Sequence, residues 1–171
     1  MTPQKAEIEK KTNADTAWKD LLEELFESFL EFFFPKIHTD IDFSRGVRFL
    51  STELRQIFPD HDVGDRYADE LVEVHLKGGG VRRICVFIHI EVQGKKTDNF
   101  ILRMFTYHYH ILDRYRKKGI EAVSLAVLTD SDRNYRPFEM SNKRWGFELT
   151  FKIPHVKLVD YDTPGELAVL E

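Results

Sequence analysis

Glu91 sits near the end of "ICVFIHIEVQ", where Ile84, Val86, Ile88, Ile90 and Val92 alternate with Cys85, Phe87, His89, Glu91 and Gln93. Alternate side chains of a strand share a face, so one surface of this segment is aliphatic throughout and the other turns polar at its far end. A carboxylate on such a face has to be solvated, paired or bound to a metal. Upstream, "ADELVEVHL" alternates in the same way, and "KGGG" separates the two runs. A hairpin turning on Gly78 to Gly80 pairs residues whose numbers sum to about 160, which sets Asp69 opposite Glu91. Directly opposed Cβ atoms in an antiparallel pair lie about 4.5–5.5 Å apart, and like charges so placed repel. With Gln93 on the same face, the two acids make an oxygen-rich corner suited to a hard divalent cation. Magnesium is typically held by one or two carboxylates together with waters and substrate phosphates, and such an ion activates water and stabilises charge on a phosphodiester. Solvation at a strand end is the plainer alternative for both acids.

The elements that must hold this corner follow from periodicity. From Asp15 to Phe34, Trp18, Leu21, Leu22, Leu25, Phe26, Phe29, Leu30 and Phe33 recur at helical spacing, with Pro35 just beyond. A second helix is predicted over Val47 to Phe58, with Val47, Leu50, Leu54 and Ile57 inward and Pro59 closing it. After the hairpin, "TDNFILRMFTYHYHILDRYRKKG" reads as a helix of about five turns, with Thr97 or Asp98 as N-cap and Gly119 as its stop. Its apolar stripe is Ile101, Met104, Phe105, His108, Ile111, Leu112 and Tyr115; a second stripe carries Arg103, Tyr107, His110 and Arg114. "AVSLAVL" (122–128) is apolar enough to be buried on both faces, and strand, helix, buried strand implies a parallel crossover. "FELTFKI" alternates cleanly, and "VKLVDY" adds one more short strand. The predicted class is α/β, a mixed sheet flanked by helices.

At 171 residues, 42% hydrophobic and 32% charged, the chain suits one domain with a sizeable core. Residues 1–14 read as a polar N-terminal tail and 15–162 as the domain, while "TPGELAVLE" (163–171) reads as the start of a further element. The single cysteine, Cys85, excludes an internal disulfide and a cysteine zinc cluster. No apolar run approaches the ~20 residues of a spanning helix, and the N-terminal segment has no apolar signal region. The expectation is a soluble, cytoplasmic protein without a membrane partner. Nine basic and seventeen acidic residues in 1–74 give −8, whereas sixteen basic and twelve acidic residues in 75–171 give +4. The basic clusters of the second half are candidates for phosphate contact.

"ADELVEVHLKGGGVRRICVFIHIEVQGKKTDNFILRMFTYHYHILDRY" resembles the core of the PD-(D/E)XK nuclease superfamily, and within it the recombination-promoting, transposase-related nucleases. The likeness extends over about residues 15–162, and "IHIEVQ" is its strongest element. It implies a restriction-endonuclease-like mixed β-sheet core flanked by helices, and a metal-dependent DNA endonuclease using Mg2+ or Mn2+. Residue by residue, it implies Asp69 and Glu91 as metal-binding carboxylates, the backbone carbonyl of Val92 as a further ligand, and Glu53 as the helical glutamate near the metal. Gln93 takes the place of the superfamily's lysine, as it does in this family, and Ala68 stands where proline would precede the aspartate. An amide orients water but is no base near neutral pH, so Lys95 and Lys96, just past the strand, are candidates for the missing charge.

Arg103 and Tyr107, nearest the start of the long helix, are candidates to hold a phosphate, and Lys95, Lys96 and Arg114 to contact DNA. The plainer alternative pairs Arg103 with an acidic neighbour and puts Tyr107 at the core's edge. His108 and His110 lie two apart on a helix and do not face each other, and His89 beside Phe87 reads as a core imidazole. Cys85 reads as a small core residue. Two rival functions follow: a nuclease-fold module that binds nucleic acid or protein with little catalysis, and a homo-oligomer built on "FESFLEFFF", whose phenylalanines wrap more than one face.

Overall fold

The computed structural model describes residues 3–57, 68–78, 85–118 and 120–162. Helix α1 (Pro3–Phe33) starts well before the apolar stripe, through a lead-in rich in good helix formers such as Gln, Lys, Ala and Glu. It kinks at Leu25, whose φ of −122° and ψ of 25° leave the helical region. Pro35 does not merely stop α1. It opens the short α2 (Pro35–Asp40), where a missing N–H costs nothing.

A five-stranded sheet runs in the order β1 (Arg48–Phe49), β2 (Ala68–His75), β3 (Cys85–Gln93), β4 (Glu121–Leu128), β7 (His155–Lys157). β2 is antiparallel to both its neighbours, β1 and β3, whereas β3, β4 and β7 are parallel. The protein is thus a mixed α/β domain with helices against the sheet. The predicted second helix is shorter than its apolar spacing implied: Arg48–Phe49 pairs with Glu73 and Val72, and α3 covers only Ser51–Ile57. The turn opens at Gly78, with φ +76°, while Gly79, Gly80 and the "VRR" cluster lie outside the described residues, as do Gly119 and 163–171.

Each face of the sheet has its own cover. Val72, Val74, Val86, Ile88, Ile90, Val92, Leu125 and Val127 meet Leu22, Phe26, Phe29 and Leu30 of α1. The phenylalanines of α1 divide as their spacing demands, with Phe26 and Phe29 buried and Phe32 partly exposed beside Leu21 and Leu25. The opposite face is crossed by α4 (Phe100–Tyr115), which forms two apolar clusters. One joins Leu71 and Phe87 to Ile111, Tyr115, Leu50 and Leu54; the other joins Ala126 and Leu128 to Phe100 and Met104. The buried stripe of α4 is therefore Phe100, Met104, Tyr107, Ile111 and Tyr115, rotated from the predicted one. No side chain caps its N-terminus, where Asn99 stands in place of the predicted Thr97 or Asp98.

"FELTFKI" forms β6 (Phe147–Lys152), but β6 pairs with β5 (Glu139–Arg144) in a separate hairpin outside the main sheet. The fifth strand of the sheet is instead the three-residue β7. At the hairpin's tip Trp145 and Gly146 both have positive φ, +52° and +85°, the signature of a primed two-residue turn. Asn-Gly is the favoured pair there, and a bulky residue in the left-handed region costs roughly 1–2 kcal/mol. Trp145 is 95% exposed, so little packing offsets that cost. Trp145→Asn is expected to raise Tm by about 1–4 °C, measured by thermal unfolding; a lowered Tm would show that the indole supports the hairpin.

Candidate functional site

Opposite apolar partners on two strands fix the register of the central hairpin, because a one-residue slip would turn every valine and isoleucine to the wrong face. The observed pairing runs from Ala68↔Val92 to His75↔Cys85 and places Asp69 directly opposite Glu91, as the turn position predicts. Asp69 is placed here by its backbone register. Val92 occupies the ladder between Ala68 of β2 and Val127 of β4.

Glu91 and Gln93 are both fully buried under α4. Arg103, one turn into that helix, donates from Nε to Glu91 Oε1 at 3.1 Å and from Nη2 to the same oxygen. Its Nη2 also donates to Gln93 Oε1 at 2.7 Å, and Gln93 Nε2 donates to the carbonyl of Lys95. One guanidinium therefore ties the acid to the amide. The other carboxylate oxygen, Glu91 Oε2, is buried with no hydrogen-bond partner among the described residues. Tyr107 is buried one turn further along, with its ring edge-on to that of His89 at 5.6 Å. The polar group lies between the two apolar clusters of this face.

Burial pushes the Glu91 carboxyl above its ordinary value, and the charge and hydrogen bonds of Arg103 pull it back only in part. A carboxyl raised in the folded state contributes stability that is fully present in acid, below the unfolded value, and lost as pH rises through the folded value. Glu91→Gln, a permanently neutral isostere, is therefore expected to match wild type near pH 4 and to gain on it towards pH 8, by about 2–4 °C in Tm per kcal/mol. A Tm difference that stays constant across that range would contradict the account. Burial likewise lowers the imidazole of His108, whose Nδ1 lies 3.2 Å from Ser124 Oγ.

The remaining predicted residues divide. Lys95 and Lys96 are exposed on the loop after β3, and Lys96 Nζ lies 3.5 Å from Asp132 Oδ2. Arg114 is exposed near the far end of α4, eleven residues and about 16 Å along the helix from Arg103, where its Nη2 lies 3.4 Å from Gln56 Oε1. It does not join the corner. Glu53 is half-buried in the first turn of α3, and no hydrogen bond or ion pair links it to Glu91 among the described residues. No cluster of three or more His, Cys, Asp or Glu side chains capable of holding a metal occurs among the described residues.

Two features escaped sequence reasoning. Glu70, next to Asp69 and so on the opposite face, is buried towards α1, with Lys19 Nζ at 3.8 Å. Lys157, whose side chain is fully buried, donates from Nζ to Asp130 Oδ1 at 2.7 Å and to the Tyr135 carbonyl at 3.2 Å. Through Leu128, Lys157 and Gln93 share one row of the sheet, and Thr129, beside Asp130, donates its N–H to the Gln93 carbonyl at 2.9 Å. A lysine on the alternating "HVK" and an aspartate just after the apolar strand were the available signals. Compared with known proteins, the chain matches no family model, no curated protein and no solved structure.

Proposed function

We propose that the chain is a metal-dependent DNA endonuclease with a restriction-endonuclease-like core, in which Asp69 and Glu91 hold Mg2+ or Mn2+. The observation that carries this reading is the register that opposes Asp69 to a fully buried Glu91. What supports a hard cation is Glu91 Oε2, buried without a partner among the described residues, on a strand whose register opposes Asp69 to it. The carbonyl of Val92 and the carboxylate of Glu53 are the further candidate ligands. When bound, the ion would lower the pKa of a coordinated water and offset charge on the phosphodiester. The chain's own contribution is positional. Gln93 orients water through its amide, and Arg103 supplies beside it the positive charge that the superfamily's lysine would bring. A planar guanidinium with several donors also suits a phosphate. Lys95 and Lys96 are the nearby candidates for strand contact, with Arg114 further out, whereas Tyr107 is buried against His89.

The ion pair between Arg103 and Glu91 favours a second reading, a nuclease-fold binding module with little catalysis, because it compensates the carboxylate without an ion. Incubating supercoiled plasmid with the protein in Mg2+ or Mn2+ and in EDTA separates the two. The endonuclease reading expects nicked circles only with the ion, and calorimetric uptake of Mn2+ that Asp69→Asn abolishes. Identical heats for wild type and Asp69→Asn would remove its basis.

A further inference from the structure

The β5–β6 hairpin carries chemistry that the carboxylate corner does not use. Trp145 is 95% exposed at its tip and Phe147, just after the turn, is 58% exposed. Trp145 is the one non-glycine residue with positive φ among the described residues. Asparagine or glycine would make the same turn without strain, so the turn does not account for an indole there, and an observed outlier of this kind points towards a role.

The charges of the ribbon are arranged with equal economy. Along the shaft, cations meet carboxylates across the strands: Lys143 Nζ lies 2.6 Å from Glu148 Oε1, and Lys152 Nζ lies 3.6 Å from Glu139 Oε2. Arg144 has no such carboxylate among the described residues, and its guanidinium lies 5.5 Å from the centre of the Trp145 ring. The tip therefore presents one aromatic plane and one cation above a shaft of paired charges.

We propose that Trp145 and Arg144 form a nucleotide-stacking tip, the indole taking the face of a base and the guanidinium the adjoining phosphate of a nucleic-acid strand. A base offers a flat π-face to an aromatic side chain whatever its sequence, and its backbone supplies the anion that Arg144 lacks. The shaft's balanced charge fits a single-point contact of this kind better than adsorption to an anionic surface, which draws on many cations at once. The hairpin is also rooted beside the candidate site. Phe151 packs against Phe105 and His108 of α4, each at 5.3 Å between ring centres. Ile153, just beyond β6, joins the cluster of Phe100 and Met104 at the end of α4 that bears Arg103. At about 3.3 Å per residue, β6 carries the tip roughly 20 Å from that root, the length of about six stacked nucleotides. The choice of nucleic acid as occupant rests on the nuclease reading.

Titrating a short single-stranded oligothymidine into the protein in EDTA tests the tip without cleavage. In a Trp18→Phe background Trp145 is the remaining tryptophan, and its emission should be quenched as the strand binds; the affinities of the variants are read from the anisotropy of a fluorescein-labelled oligothymidine. Trp145→Ala should weaken binding roughly five- to a hundred-fold, with Trp145→Phe recovering part of the loss. Arg144→Gln should reduce the dependence of affinity on salt by about one phosphate contact. Trp145→Asn provides the control for folding, since it should lose affinity without any loss of Tm. Unchanged affinity in Trp145→Ala would overturn the proposal. So would a blue shift of the emission with phosphatidylglycerol vesicles and no response to the oligonucleotide, which would assign the tip to a membrane surface. Plasmid nicking that survives loss of Asp69 or Glu91 would count against the carboxylate site and leave this titration unaffected.

Discussion

Glu91→Ala and Asp69→Ala are each expected to lower Mg2+-dependent nicking of plasmid DNA by at least about three orders of magnitude, because a catalytic ion contributes several kcal/mol of transition-state stabilisation. Neither change should unfold the domain. Glu91 lies fully buried beneath α4, burial already disfavours its charge, and Asp69 faces it across the hairpin. Asp69→Ala should leave Tm little changed, whereas Glu91→Ala leaves Arg103 without its buried partner and should lower Tm while circular dichroism still reports a folded domain. Gln93→Ala should slow the reaction by less than the carboxylate changes do, since the amide accepts from Arg103 and donates to the Lys95 carbonyl but transfers no proton of its own. Undiminished nicking by Glu91→Ala would sink the assignment and favour the binding module.

Lys157→Met should be strongly destabilising, at about 3–5 kcal/mol, because it leaves the largely covered Asp130 without its counter-charge. The side chain of Lys157 is fully buried and that of Asp130 is 9% exposed, so water can replace little of the lost partner. The cost corresponds to a fall in Tm of roughly 10 °C for a chain of this length. Asp130 Oδ1 also accepts the N–H of Asp132 at 3.0 Å, so the loop after β4 should loosen together with the strand. In the double variant Lys157→Met, Asp130→Asn most of the loss should return, because no uncompensated charge is left. Urea unfolding of the four proteins in that cycle measures the coupling. Additive costs, or a loss below about 1 kcal/mol in the single variant, would show that the pair is not what ties β7 to its neighbour.

The register of the carboxylates could be read in advance because the glycine-rich turn sets the sum of paired positions at about 160 and the two alternating apolar faces rule out an odd sum. The buried strand at 122–128 was equally visible, since uniform apolarity suits a strand covered on both sides. α4 was harder. Hydropathy favours Ile101, Phe105, His108 and Leu112, yet Tyr107 is the residue buried against the sheet. Phe105 and His108 are drawn aside to cover Phe151, so two supports pull on one helix and blur its stripe. β5 was invisible because "EMSNKR" is exposed almost throughout and has no apolar period to display. The partners of Arg103 and Lys157 lie 12 and 27 positions away in the chain. Spacing assigns a residue to a face but not to the acid it will meet there.

The sheet ends in strands of two and three residues, β1 and β7. A long unpaired edge is a template on which another chain can add a strand, and edges this short offer only two or three rungs for such growth. Should copies of this protein associate, open-ended stacking through these strands would have little to hold it. Leu21, Leu25 and Phe32, exposed along α1, offer a side-chain surface instead, and a contact that met its own copy across a two-fold axis would close as a dimer.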